Sequence, residues 1–186
     1  YESGEWVDWL DLCLRTGVEH EHNLSLSGRT KTTRYYISGN ILSNNGIRIN
    51  DKFNRYTMRV NLEQKVGKYI TFGTNTTYGY YDRSGKEANF NQAYIMNPLT
   101  IPYNEDGTLR LLTWEDTPYA ENPLHSLNIK NKDINQRFNT VNYLELTCPV
   151  EGLSYKLNTN YSYMSRLEQT YYGKTDTQEG FSNDGE

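Results

Sequence analysis

The sequence has few of the features that mark helical or catalytic proteins. No run of about 18 apolar residues occurs, so the chain has no candidate transmembrane helix. Stretches rich in Leu, Ala and Glu are scarce, and hydrophobic residues make up only 35% of the 186 residues. This supply is small for a large central core. The chain is therefore either a loopy soluble β-protein, or its apolar residues face something other than a core.

Concentrated positive charge and metal-ligand spacings are also missing. The net charge of -4, from 19 basic and 23 acidic residues, argues against a nucleic-acid partner. The only cysteines, Cys13 and Cys148, lie far apart, which favours two free thiols, although sequence alone leaves a bridge between them open. No nucleophile elbow, phosphate-binding loop or calcium loop is present. We therefore expect no enzymatic activity, no cofactor and no metal.

What the sequence does have is alternation with a period of two, which predicts strands. The segment 54–65 is the clearest, because an apolar set from Tyr56 to Leu62 alternates with a polar set from Arg55 to Glu63. A short helix is predicted at 6–14, and a further candidate strand lies near 170–172. The predicted strands are 23–27, 32–43, 54–65, 68–81, 137–147 and 153–163.

Tight connections predict that these strands form antiparallel hairpins. Val66 and Gly67 separate two of the strands, and a glycine there can adopt the positive φ of a tight turn. The segment 148–152 contains Pro149 and Gly152 and predicts a second reversal. By contrast, the interval 82–135 contains four of the five prolines and no sustained alternation. It is predicted to be one long loop.

The length and two-sidedness of the strands favour a transmembrane barrel. A tilted strand crosses a bilayer in roughly nine to eleven residues, whereas soluble strands average about five or six. Lipid would contact the apolar face, and the polar face would line the interior. The long loop at 82–135 and the connection at 44–53 would then be extracellular. Five tyrosines would lie near the outer strand ends, as in an interfacial girdle: Tyr56, Tyr78, Tyr80, Tyr161 and Tyr163.

Several short runs, taken in order, carry a resemblance to a known family. The runs are Trp6-Val-Asp-Trp9, Arg15-Thr-Gly17, His22-Asn-Leu-Ser-Leu-Ser-Gly28, Tyr35-Tyr-Ile-Ser38, Asn45-Gly-Ile47, Phe53-Asn-Arg-Tyr-Thr-Met-Arg-Val-Asn-Leu62, Pro102-Tyr-Asn-Glu-Asp-Gly107, Asn122-Pro-Leu124 and Val150-Glu-Gly-Leu153. Together they resemble the SusC/RagA-type TonB-linked outer-membrane proteins. No single run is decisive, but their order and spacing together are specific and cover nearly the whole chain. One departure is Arg29, where the family usually has a second glycine.

The resemblance implies an all-β fold, an antiparallel transmembrane β-barrel segment. It would supply about five or six strands of a barrel of about 22. We expect an internal piece of a longer protein, in which 1–22 connects the plug to the barrel and 23–186 is partial barrel. The family imports nutrients, usually glycans or oligosaccharides and in some members peptides, through the bacterial outer membrane. The implied partners are a SusD-like surface lipoprotein, outer-membrane lipid and the TonB complex, the last through an N-terminal part absent here.

Two alternatives remain open from the residues. One is a passive porin or adhesin barrel without TonB coupling, which an upstream plug in the parent gene would argue against. The other is a soluble carbohydrate-binding β-sandwich, which has one wet face and buries the other. It would require the apolar faces of 56–62 and 153–163 to pack together in a dry core.

Two sets of residues are candidates for function. Arg55, Arg59, Asn61 and Asn75 are predicted to face the barrel lumen, where they could contact the plug or an anionic solute. A plainer interpretation is a solvated, mutually paired barrel interior. In the long loop, aromatic residues could contribute to a substrate vestibule or a lipoprotein-facing surface, or could simply pack beneath the loop: Tyr94, Tyr103, Trp114 and Tyr119.

Overall fold

The computed structural model describes residues 6–114, 120–150 and 152–173. These residues form one six-stranded antiparallel sheet in which each strand pairs with its neighbour in the chain. Short helices lie outside the sheet: α1 (Trp9–Cys13), α2 (Phe90–Ile95) and a 3₁₀ turn (His125–Asn128). No helix among the described residues has the length and apolarity to cross a membrane. The strands are β1 (Val18–Arg29), β2 (Thr33–Asn45), β3 (Lys52–Val66), β4 (Ile70–Asp82), β5 (Lys130–Thr147) and β6 (Ser154–Tyr171).

The register gives the sheet two distinct faces, as the alternation predicts. Directly opposed residues point to the same side of a sheet, so each row of partners shares one face. One row joins Ile41, Tyr56 and Tyr80, and the adjacent row joins Leu42, Arg55 and Tyr81. We call the side of Tyr56 the apolar face and the side of Arg55 the polar face.

The apolar face is exposed in the chain as it stands. Leu24 is 80% exposed, Met58 52% and Tyr155 58%, so this face has no covering layer among the described residues. A sandwich would bury such residues against a second sheet. The structure contains no such second sheet in the part it describes, so the dry contact between 56–62 and 153–163 that the sandwich alternative would require is absent there.

The two ends of the sheet differ in the length of their connections. At one end the strands are joined by residues 30–32, 67–69 and 148–153. Gly67 and Gly152 have φ of 64° and 82°, which confirms that both predicted turns depend on a residue without a Cβ. At the other end the connections are 46–51 and the much longer 83–129. The two three-residue turns therefore lie at one end of the sheet, and the one very long connection lies at the other.

Several strands are longer than the sequence predicts. β1 starts at Val18 and not at residue 23, β5 starts at Lys130 inside the predicted loop 82–135, and β6 continues to Tyr171. The additional part of β5 is polar and is held by its ladder with β6, including an Arg166–Asp133 ion pair at 3.2 Å. Alternation of apolar residues could not reveal it. The candidate strand near 170–172 is the end of β6 and not a separate element.

The extension of β6 changes the position of two predicted girdle tyrosines. Tyr161 and Tyr163 lie in the middle of β6, and not at its end as the predicted strand 153–163 required. They are nevertheless level with aromatics on neighbouring strands, because Tyr163 is opposite Phe138, which is opposite Tyr78. The Tyr161 and Phe138 rings lie 6.2 Å apart. The tyrosines therefore form a band across the apolar face.

The buried core lies outside the sheet, at the end with the connections 46–51 and 83–129. We call this region the cap: the described residues of 6–17, 46–51 and 83–129. Trp9, Cys13, Ala88, Ala93 and Leu124 are each no more than 5% exposed and pack together. The predicted connector 1–22 is thus divided in its described part, because 6–17 belongs to the cap and 18–22 to β1.

Candidate functional site

The polar face carries the predicted lumen residues, and the structure separates them into paired and unpaired groups. Arg55 is paired: its Nη2 lies 3.0 Å from Glu21 Oε1 and donates to Asn40 Oδ1 at 3.3 Å. Asn40 Nδ2 also donates to Glu21 Oε1 at 2.8 Å. Arg55 therefore reaches across β2 to a carboxylate on β1. This arrangement matches the plainer interpretation of a mutually paired interior.

Asn61 and Asn75 are directly opposite one another on β3 and β4. The side-chain oxygen Oδ1 of Asn61 is buried and accepts no hydrogen bond within the described residues. A buried amide oxygen without a donor costs free energy. A donor from another part of a complete protein, or from a solute, would remove this cost.

A second polar cluster surrounds Tyr143, which the sequence analysis did not single out. Its hydroxyl donates to Glu63 Oε2 at 2.9 Å, and Lys156 Nζ lies 4.5 Å from its ring centroid. Its ring lies over Gly73, where a Cβ would come within 2.0 Å of a ring carbon. Gly73 therefore creates the space that lets Tyr143 lie flat along the sheet. The signal that could have revealed Tyr143 was its place on the polar side of the predicted strand 137–147.

Arg59 differs from Arg55 because its guanidinium makes no hydrogen bond or ion pair with any described residue. It lines a depression of about 370 Å³ on the sheet together with Arg137, Tyr81 and Asn139. The Arg137 guanidinium lies 5.5 Å from the centroid of the Tyr81 ring, and its Nε donates to Asn135 Oδ1 at 3.0 Å. Sequence analysis missed Arg137, although it begins a predicted strand.

The cap contains α1 and α2, and the side chain of an N-cap residue begins each of these helices. Asp8 accepts hydrogen bonds from the amides of Leu10 and Asp11, and Asn89 accepts one from the amide of Gln92. Such caps supply partners for helix N–H groups that would otherwise lack them. These short helices are thus stabilised by their N-cap residues and by packing of the two helices against each other.

Side-chain contacts tie the two helices and the loops together. Trp9, which is 3% exposed, donates from Nε1 to the Asn97 carbonyl at 3.1 Å. Arg15 donates to the carbonyls of Gly46 and Asp51 and so ties the N-terminal segment to the 46–51 connection. Asn122, which is 1% exposed, donates to the Pro102 carbonyl at 2.8 Å. The cap is therefore an ordered structure with its own small core.

The predicted loop aromatics lie on the surface of this cap. Tyr94 is 73% exposed, Tyr103 43% and Trp114 52%, so none of these three packs beneath the loop. Tyr103 forms a bridge with Leu109 at the base of a turn that contains Gly107 at φ 82°. Tyr119, the fourth candidate, lies outside the described residues.

Both cysteines are free, and they lie at opposite ends of the sheet. Cys13 is buried in the cap, and Cys148 follows β5 at the end with the short turns. The bridge that the sequence left open is therefore not formed. Burial raises the pKa of the Cys13 thiol to about 11, because a thiolate there would lose its hydration. The described residues contain no group of three or more His, Cys, Asp or Glu side chains that could hold a metal.

Comparison with known sequences finds TonB-dependent receptors. The chain is 29% identical over 128 residues to TonB-dependent receptor P3 of Formosa agariphila, covering 61% of this chain and 13% of that protein. It is 28% identical over 101 residues to receptor P26 of the same organism, covering 54% and 10%. It is 26% identical over 164 residues to receptor P39, covering 86% and 15%. No protein-family model matches the chain.

Comparison with solved structures gives the same fold. A structure of the RagAB peptide importer in the "open-open" state matches with a TM-score of 0.69 and 18% identity, covering 88% of this chain and 19% of the other. A structure of the RagAB peptide transporter matches with a TM-score of 0.68 and 18% identity, covering 90% and 20%. The resemblance to TonB-dependent receptors, noted from the sequence, is confirmed. So is the fold, an antiparallel segment like those of their barrels. The chain spans less than a fifth of the length of each of the three receptors.

Proposed function

We propose that this chain is a wall segment of an outer-membrane TonB-dependent importer of nutrients. The observation that supports this most directly is the two-sided sheet, whose long strands leave an apolar face exposed and pair charges across the opposite face. In a bilayer the apolar face contacts lipid, and the polar face lines the interior. The similarity to TonB-dependent receptors supports coupling to TonB. The chain itself is assigned no catalytic activity.

The same proposal orients the sheet in the outer membrane. Short turns of transmembrane barrels face the periplasm, and long loops face the outside. The cap, which contains the very long connection 83–129, then lies on the extracellular side. The polar extensions of β5 and β6 project beyond β4 on that side, where ladder hydrogen bonds and ion pairs can form in water.

We assign the exposed cap aromatics to capture of the nutrient or of a SusD-like lipoprotein. Tyr94, Tyr103 and Trp114 expose large rings on an ordered support, and such rings dominate many binding surfaces. The matched structures are of the RagAB peptide importer, and this likeness supports a partner for this chain. Glycans and peptides are the two proposed substrate classes. Stacking on sugar rings would suit the first, and apolar contacts the second.

Uptake by the complete protein in its own cells tests the importer assignment. We expect the protein in the outer-membrane fraction, and we expect deletion of its gene to abolish growth on one glycan or peptide source. An uncoupler that collapses the proton gradient should stop uptake, because TonB coupling consumes that gradient. Uptake that persists with the uncoupler would indicate a passive pore. A protein found in the soluble fraction would refute membrane residence.

The capture surface is tested by truncating Tyr94, Tyr103 and Trp114 together to alanine. Tyr69 is the matched control, because it is 52% exposed but lies in a turn at the opposite end of the sheet. Exposed rings contribute little to folding, so expression should be normal in both variants. Partner binding or uptake should fall by about tenfold or more in the triple variant alone. Equal values in the two variants would remove the cap aromatics from the proposal.

A further inference from the structure

Most charged side chains of the polar face are paired with an opposite charge. The ion pairs are Arg34–Glu63 at 3.8 Å, Arg55–Glu21 at 3.0 Å, Lys156–Glu145 at 3.8 Å, Arg166–Asp133 at 3.2 Å and Arg166–Glu168 at 3.0 Å. Two guanidinium groups in the middle of the sheet have no carboxylate partner among the described residues, those of Arg59 and Arg137. Ion pairs neutralise charge at several other positions of this face, whereas these two positive groups lie close together in the middle of the sheet.

The register places these two arginines on either side of β4. Arg59 is opposite Thr77, and Arg137 is opposite Gly79, two residues further along the same strand. Two strand spacings and two residue rises separate their Cα atoms by about 12 Å. Gly79 has no side chain, and the Tyr81 ring lies over it, where a Cβ would come within 2.8 Å of a ring carbon. Both arginines line the depression of about 370 Å³.

Arg137 is held in one orientation before any ligand arrives. Its guanidinium lies over the Tyr81 ring, 5.5 Å from the ring centroid, and its Nε donates a hydrogen bond to Asn135 Oδ1. The two terminal nitrogens therefore have no partner among the described residues. A guanidinium with its terminal nitrogens free is suited to a planar carboxylate, which it can bind through two parallel hydrogen bonds. Asn139, which also lines the depression, adds an amide donor.

We propose that Arg59 and Arg137 form a carboxylate-binding site on the polar face of the sheet. This proposal rests on the proposed function in one respect: the polar face must line the barrel interior, where other segments of the protein or solutes come close to it. The carboxylate has two sources, a side chain from another part of the complete protein or a solute in transit. Arg55 is excluded from the site because Glu21 already occupies its guanidinium.

The test uses the complete protein in detergent micelles with Arg59 and Arg137 both changed to glutamine. Arg29→Gln is the matched control, because Arg29 lies on the same face at the turn end and also has no ion pair with a described residue. A second variant, in which Arg59 and Arg137 are both changed to lysine, keeps the positive charges but loses the planar guanidinium groups. The probe is N-acetyl-trialanine with a free carboxylate, compared with its amide by isothermal titration calorimetry. The thermal unfolding midpoint is measured without the probe.

A solute site predicts that the wild type and Arg29→Gln bind the free carboxylate about tenfold more tightly than the amide. The glutamine variant should lose that preference, and the lysine variant should retain part of it. If the carboxylate is a side chain of the complete protein, the probe should show no preference over its amide. The thermal unfolding midpoint of the glutamine variant should then lie about 3 °C or more below that of Arg29→Gln. If neither the preference nor the midpoint depends on Arg59 and Arg137, the site is wrong. Uptake that resists the uncoupler refutes only the importer assignment, because neither readout here requires transport.

Discussion

Truncation of Trp9 should unfold the cap and leave the sheet intact. Its ring is 3% exposed and packs in the cap core, and its indole donates to the Asn97 carbonyl. Replacing a buried aromatic by alanine costs about 3–5 kcal/mol. The cap contacts the sheet mainly through connections at one end, so this cost should fall on local opening. The sheet has its own ladder of hydrogen bonds.

Hydrogen exchange followed by mass spectrometry measures this local opening. Since each ~1.4 kcal/mol is a factor of ten, the cap amides in Trp9→Ala should exchange about a hundredfold to a few thousandfold faster. The amides of Ala88 and Ala93, which bond to Ile49 and Asn89, report on the cap. Amides in the middle of β3 should not change.

A phenylalanine at position 9 is the matched control. It keeps most of the buried ring area but loses the hydrogen bond to Asn97, so the cap amides should exchange only about fivefold faster, for about 1 kcal/mol. Equal acceleration in β3 and in the cap would show that the two are one cooperative unit. Unchanged exchange in the cap would show that Trp9 does not hold it together. Either result would refute this reasoning.

Two further predictions concern a close approach and a buried thiol. Gly73→Ala should lower the free energy of unfolding by about 1–3 kcal/mol, because the new Cβ displaces Tyr143. Gly39→Ala is the control, since nothing lies within 4 Å of the new Cβ there. A thermal melt should show a lower midpoint for Gly73→Ala and no comparable loss for Gly39→Ala. At pH 8, iodoacetamide should alkylate Cys148 well before Cys13, as read by peptide mass spectrometry, and equal rates would argue against a buried Cys13. Burial raises the Cys13 pKa to about 11 from a usual 9. The contribution of the buried neutral thiol to the free energy of unfolding is therefore complete below pH 9 and is lost as the pH rises towards 11. In Cys13→Ala the free energy of unfolding should not show this decline between pH 9 and 11.

The regular part of the fold could be predicted from the sequence because its signals are local. Alternation from Tyr56 to Leu62 defined both faces of β3, and glycine at 67 and 152 defined two turns. Residues 130–136 could not be predicted as a strand, because only Ile134 among them is apolar. Their strand structure depends on pairing with 165–171, which lies far along the chain.

The candidate site was predictable in position but not in pairing. Arg55 and Arg59 fall on one face by simple parity, and the structure confirms that geometry. Only the structure shows that Glu21, two strands away, occupies Arg55 and not Arg59. Likewise, no sequence pattern indicates that Tyr81 stacks under Arg137. Parity assigns a face, whereas pairing depends on which side chains from other strands reach the same place.

The very unequal lengths of the strand connections have a consequence for the order of folding. Two of the turns close after three residues, so the β1–β2 and β3–β4 hairpins can form early. Joining β4 to β5 requires closure of the whole segment 83–129, which costs roughly 2 kcal/mol more chain entropy than closing a three-residue turn. The cap core shortens that effective loop once Trp9 and its neighbours have packed. We therefore expect the β4–β5 seam to form last among the internal pairings, and docking of the cap to set its rate.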